Sequence, residues 1–143
     1  MTDTQTAPIL VSRDGVIATV TLNNPTKRNA LNKAMWASLR DAMNELSADD
    51  SLRCVVVRGA GEEAFAAGAD ISEFETERDT PEKTRAYDDM LSEALEALYK
   101  CQHPTIAMIR GACMGGGLQI AIQCDLRISG ESTGHGASSI SFW

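Results

Sequence analysis

Long apolar runs, a basic excess and paired cysteines are all missing from this 143-residue chain, and each lack removes a class of function. No stretch approaches the roughly 18 apolar residues that a membrane-spanning helix needs. The N-terminal MTDTQTAP carries neither the basic nor the apolar segment of a secretion signal, so the cytoplasm is the expected location, or a matrix-type compartment if an address was removed. Lys and Arg number 13 against 20 Asp and Glu, a net charge of −7, which leaves no broad basic field for a nucleic-acid backbone. An anionic ligand must therefore be met by local donors. The cysteines Cys54, Cys101, Cys113 and Cys124 form no C-x-x-C pair and are read as reduced. No set of His, Cys and carboxylates stands at metal-ligand spacing, so no metal is expected.

What is present reads as one globular α/β domain, with 43% hydrophobic residues. Two β-rich runs, Ile9 to Ser12 and Val16 to Leu22, flank Arg13-Asp14-Gly15, a hairpin signal, and Val16, Ala18, Val20 and Leu22 share one face. After Asn23-Asn24-Pro25, Leu31, Met35, Leu39, Ala42 and Leu46 recur at helical spacing, with Asn29 or Asn32 as N-cap and an end near Ala48. Cys54 to Val57 is a short apolar strand of the kind covered on both faces, and a loop follows from Gly59 to about Phe74. Thr80-Pro81 caps a second helix whose stripe is Tyr87, Leu91, Ala94, Leu95 and Leu98. Thr105 to Ile109 reads as a strand, Leu118 to Cys124 as a buried helix and Asp125 to Ser129 as a further strand. Such alternation indicates layered strands with crossover helices.

Two segments set glycine among small residues directly after a buried strand: Phe65-Ala66-Ala67-Gly68-Ala69-Asp70, and Gly111 with Gly115-Gly116-Gly117. Such glycines serve a tight turn, close helix-on-sheet packing, or the approach of bare N–H groups to a ligand oxygen. If Gly116 opens the following helix, its positive end points the same way. A phosphate loop is the weaker reading, because no Lys-Ser/Thr follows the triplet and no G-x-G-x-x-G runs through it. Gly111-Ala112-Cys113-Met114-Gly115 has the outline of a nucleophile elbow with Cys113 as nucleophile. That reading needs a later acid and histidine, and His135 is the one histidine downstream.

Taken in order, Asn23-Asn24-Pro25 through Asn29-Ala30-Leu31-Asn32, then Phe65 to Ile71, then His103-Pro104-Thr105-Ile106-Ala107 with Gly111, the glycine triplet and Cys124-Asp125-Leu126, resemble the crotonase (enoyl-CoA hydratase/isomerase) superfamily. The resemblance implies a spiral of strand-strand-helix units, here incomplete at the C-terminus, and a lyase or isomerase acting on an acyl-CoA with no bound cofactor beyond the CoA of its substrate. It assigns the oxyanion-hole N–H groups to Ala69 and Gly116, flanked by Ala67, Gly68 and Gly115. It implicates Asp70, Ile71 and Ser72 in lining the acyl-CoA path, and Lys27 and Arg28 in meeting the CoA phosphates. A homotrimer or dimer of trimers is implied as well. The first hydratase glutamate is replaced by Gln119, and the place of the second falls at about Ser139. A carboxamide cannot exchange a proton near neutral pH, so a non-catalytic or truncated acyl-CoA-binding protein is the other expectation. The resemblance covers residues 1–133; residues 134–143 are expected to be a disordered tail foreign to the family.

Overall fold

The structure is a computed structural model and describes residues 6–130. The expectation for residues 134–143 lies outside the described residues. β1 (Ile9–Asp14) and β2 (Ile17–Leu22) form an antiparallel hairpin, turned by Gly15 at φ 60°. Ala18, Val20 and Leu22 are buried on one face of β2, as alternation requires, but Val16 precedes the strand and is exposed.

Helix α1 (Lys33–Ser47) is capped by Asn32, whose side chain accepts from the Met35 amide at 2.8 Å. Of the two candidate caps, Asn29 is therefore not the one used. Met35, Trp36, Leu39, Met43 and Leu46 form the buried stripe of α1. Leu31 is buried too, but it stands before the helix as a bridge partner of Ala69.

β3 (Cys54–Gly59) runs parallel to β2; the short β4 (Ala64–Ala66) follows it. The segment expected to be all loop thus holds a strand, and after it a 3-10 turn at Ile71–Glu73 and the short α2 (Phe74–Glu77). Helix α3 (Pro81–Tyr99) starts where Thr80 and Pro81 predict, with the Thr80 hydroxyl accepting from the Lys83 amide at 3.1 Å. Then come β5 (Thr105–Ile109), the two-residue β6 (Ala112–Cys113), α4 (Gly116–Gln123) and β7 (Leu126–Ser129).

The large sheet has the order β1-β2-β3-β5-β7, parallel from β2 onward, and β4 and β6 pair in parallel as a second, two-stranded sheet. Strand-strand-helix order recurs in β3-β4-α3 and β5-β6-α4: the first strand of each unit joins the large sheet and the second joins the small one. This is the expected spiral. Val55, Val57, Ala107 and Ile109 are buried on one face of the large sheet, whereas Val56, Ile106 and Met108 on the other are only partly covered, so β3 is not enclosed on both faces.

Candidate functional site

The site is built where the small sheet ends. Because β4 and β6 are parallel, the chain leaves both at the same edge, and the Met114 amide donates to the Ala66 carbonyl at 3.0 Å to continue the pairing. Each exit then passes through a glycine with positive φ, Gly68 at 125° and Gly115 at 53°, conformations that a side chain disfavours. The two glycines touch: a Cβ on Gly115 would lie 3.4 Å from the Cα of Gly68. Ala69 and Gly116 are each one residue beyond that contact.

Local hydrogen bonds leave the amides of Ala69 and Gly116 open. Leu31 donates its N–H to the Gly68 carbonyl at 2.7 Å and accepts from the Asp70 N–H at 2.8 Å. In a parallel bridge of this kind the residue between, Ala69, turns its own N–H and C=O away from the partner. Gly116 is the first residue of α4, where an amide has no acceptor within its helix. Among the described residues neither amide has a hydrogen-bond partner. The partial positive charge of the α4 N-terminus adds to the Gly116 donor.

Packing behind the donors is tight. A Cβ on Gly116 would come within 2.9 Å of both Leu31 and Trp36, and one on Gly117 would overlap the Ala66 carbonyl. Only glycine lets α4 lie this close to β4.

The residues after the first donor divide by environment. Asp70 is buried, and its carboxylate accepts from the Ser72 hydroxyl at 2.6 Å, the Ser72 amide at 3.1 Å and Lys27 Nζ at 3.1 Å. These bonds, the Ser72 hydroxyl first, hold its pKa below the ordinary carboxylate value although burial opposes them. Ile71, two residues after Ala69 in the chain, is 74% exposed. Ala67 donates its N–H to the Arg28 carbonyl at 3.0 Å. The adjacent charges Lys27 and Arg28 therefore differ: Lys27 is paired with Asp70, and among the described residues the Arg28 guanidinium has no ion-pair partner.

The family model for enoyl-CoA hydratase/isomerase matches residues 12–142. The chain belongs to the enoyl-CoA hydratase/isomerase family. It is 40% identical over 125 residues to a probable enoyl-CoA hydratase of Mycobacterium tuberculosis, covering 87% of this chain and 48% of that protein. A mitochondrial Delta(3,5)-Delta(2,4)-dienoyl-CoA isomerase of Mus musculus is 37% identical over 117 residues, covering 76% of this chain and 36% of that one. Among solved structures, an enoyl-CoA hydratase/carnithine racemase from Magnetospirillum magneticum superposes with a TM-score of 0.85 at 50% identity, covering 87% of this chain and 47% of that one. The chain thus spans about half the length of the relatives it matches.

Within this enoyl-CoA hydratase/isomerase scaffold, Gln119 stands three residues after Gly116, on the same side of α4, and is exposed. Its side chain donates and accepts hydrogen bonds but carries no titratable proton. The thiol reading of Cys113 is overturned: the residue has no exposed surface, and burial pushes its thiol up to about 11, the reverse of what a nucleophile needs. His103 is structural, with Nε2 at 2.9 Å from the Asp49 carbonyl oxygen. Among the described residues no three or more His, Cys, Asp and Glu gather as a metal site, and no helix is long and apolar enough to cross a membrane.

Sequence reasoning missed Leu31 as the strut of the Ala69 loop and Glu73 as the acceptor for the Lys33 amide, at 2.8 Å. Leu31 fits the α1 period, and only the choice of Asn32 over Asn29 as N-cap places it before the helix. Glu73 acts across forty residues of chain, a link that no local pattern records.

Proposed function

We propose that the chain supplies the thioester-holding half of an acyl-CoA enzyme of the hydratase/isomerase type. The supporting observation is the pair of open amides, Ala69 and Gly116, held on touching segments by Gly68 and Gly115. Two fixed N–H groups on one thioester oxygen favour the enolate or oxyanion over the neutral carbonyl, because negative charge grows on that oxygen in the transition state. The exposed Ile71 offers an apolar surface to an acyl chain, and the uncommitted Arg28 is the side chain of the basic pair available to a CoA phosphate. CoA enters as part of the substrate, without a further cofactor. The working assembly in this reading is a homotrimer or a dimer of trimers in the cytoplasm.

Gln119 favours a second outcome, acyl-CoA binding without hydration. A carboxamide can orient a water but cannot remove or deliver its proton, so in this reading Gln119 holds a water or the acyl group by hydrogen bonds and no proton is transferred.

Substitution of Gly116 tests the site. Gly116→Pro removes one donor at a first helical position, where proline is otherwise tolerated, and Gly116→Ala keeps the donor while adding a Cβ of similar placement. Loss of an oxyanion donor is expected to cost about 2.7–4 kcal/mol, or 10²–10³ in turnover. Calorimetry and absorbance with crotonyl-CoA are expected to show the proline variant well below the alanine variant. Equal behaviour of the two would remove Gly116 from the site.

A further inference from the structure

We infer that Asp70, held by Lys27 and Ser72, is a positioning residue that fixes the direction of the Ala69 N–H; this rests on the oxyanion reading above. The need for such a device follows from Gly68. With no Cβ and a φ of 125°, Gly68 does not restrict the rotation of the 68–69 peptide as another residue would, so its plane must be set from outside. Two backbone bonds to Leu31, one through Gly68 and one through Asp70, bracket the peptide. Bonds on a single strut still allow the pair of segments to swing together.

The Asp70 carboxylate closes the frame. It caps the 3-10 turn at Ile71–Glu73 by accepting from Ser72, which fixes the chain just after the donor. It also reaches Lys27, at the end of the 3-10 turn Pro25–Lys27, four residues before Leu31. The same two segments are thereby joined at the Leu31 bridge, at Ala67 through Arg28, and at Asp70 through Lys27. Lys27 has a second effect. A buried carboxylate one residue from an oxyanion donor would oppose negative charge growing there, and the ammonium at 3.1 Å offsets that field.

The test is spectroscopic, because polarisation of a bound thioester carbonyl moves the absorption of a conjugated aromatic enoyl-CoA, whereas a purely structural role does not. With 4-dimethylaminocinnamoyl-CoA at saturation, the unmodified chain is expected to red-shift the ligand, and absence of that shift would sink the oxyanion reading itself. Asp70→Ala and Lys27→Met are expected to lose most of the red shift while still binding the ligand, and Lys27→Arg, which keeps the pairing, to restore it. Lys27 is half exposed, so Lys27→Met carries the test if Asp70→Ala does not fold. A full red shift in folded Lys27→Met, beside a full shift in the unmodified chain, overturns the positioning role and leaves the oxyanion reading standing.

Discussion

Asn29 shows how one side chain can hold a loop that sequence patterns leave undefined. It is buried at φ 58°, a left-handed conformation that Asn tolerates better than most residues. Its amide donates to the carbonyls of Ala60 at 3.0 Å and Ala64 at 2.9 Å, and its oxygen accepts from the Asn24 amide at 2.9 Å. Asn29→Ala leaves these backbone groups without their partner and retains the unfavourable φ, so a loss of about 2–3 kcal/mol is expected in urea unfolding. Asn29→Asp should be at least as damaging, since both donors become acceptors facing two carbonyl oxygens. An Asp variant as stable as the parent would refute the assignment. The sequence offers Asn29 and Asn32 as equal candidates for the cap of α1, because the choice depends on backbone angles and on carbonyls more than thirty residues away. By contrast, Pro25 and Gly15 act within a few residues of themselves, at the start of the 3-10 turn Pro25–Lys27 and in the β1–β2 turn, and local sequence marks both.

Between elements, legibility follows length. α3 announces itself through Thr80, Pro81 and a stripe from Tyr87 to Leu98 in a helix of 19 residues, whereas β4 and β6 have three and two residues and no period to detect. Yet the short pair sets the site, since their parallel ends bring Gly68 against Gly115. The glycine motifs marked that place before the strands could be seen, because close approach of backbones demands glycine whatever secondary structure surrounds it. Gly117 and Gly61 separate this packing from simple backbone strain. Gly61 has φ 72° and open space around its missing side chain, so Gly61→Ala should cost only the left-handed penalty of about 1–2 kcal/mol. Gly117 has no positive φ, but a Cβ there overlaps the Ala66 carbonyl and must push α4 off β4. Overpacking of this kind costs about 1–3 kcal/mol, and Gly117→Ala should also weaken acyl-CoA binding while Gly61→Ala leaves it intact. Calorimetry on both variants checks the pair; parallel losses of affinity would detach the β4–α4 contact from the site.

Across the described residues, Val55, Val57 and Ala107 on one face of the large sheet are buried in one cluster with residues of α1 and α3, while Leu126 and Ile128 on β7 remain exposed. A chain spanning about half its relatives' length therefore raises the question of how firmly this one-sided core is held, and its cysteines report on it. Cys113 and Cys124 are buried, with thiols pushed by desolvation from the ordinary 9.0 up to about 11 and about 12. Cys54 and Cys101 are only partly covered. The thiolate is the reactive form, so at pH 8 iodoacetamide should label Cys54 and Cys101 first, and Cys113 and Cys124 only on unfolding or in denaturant. The linkage has a definite sign. A raised folded-state pKa leaves stability intact below the unfolded value of 9.0, and stability falls as pH rises from there through the folded values, because the unfolded chain releases those protons first. Protection of Cys113 and Cys124 should therefore weaken between about pH 9 and 12, as desolvated thiols are forced to ionise. Mass spectrometry of site-resolved labelling reads both effects. Labelling of all four at one rate in native buffer at pH 8 would mean that the sheet and its helices do not hold this core closed.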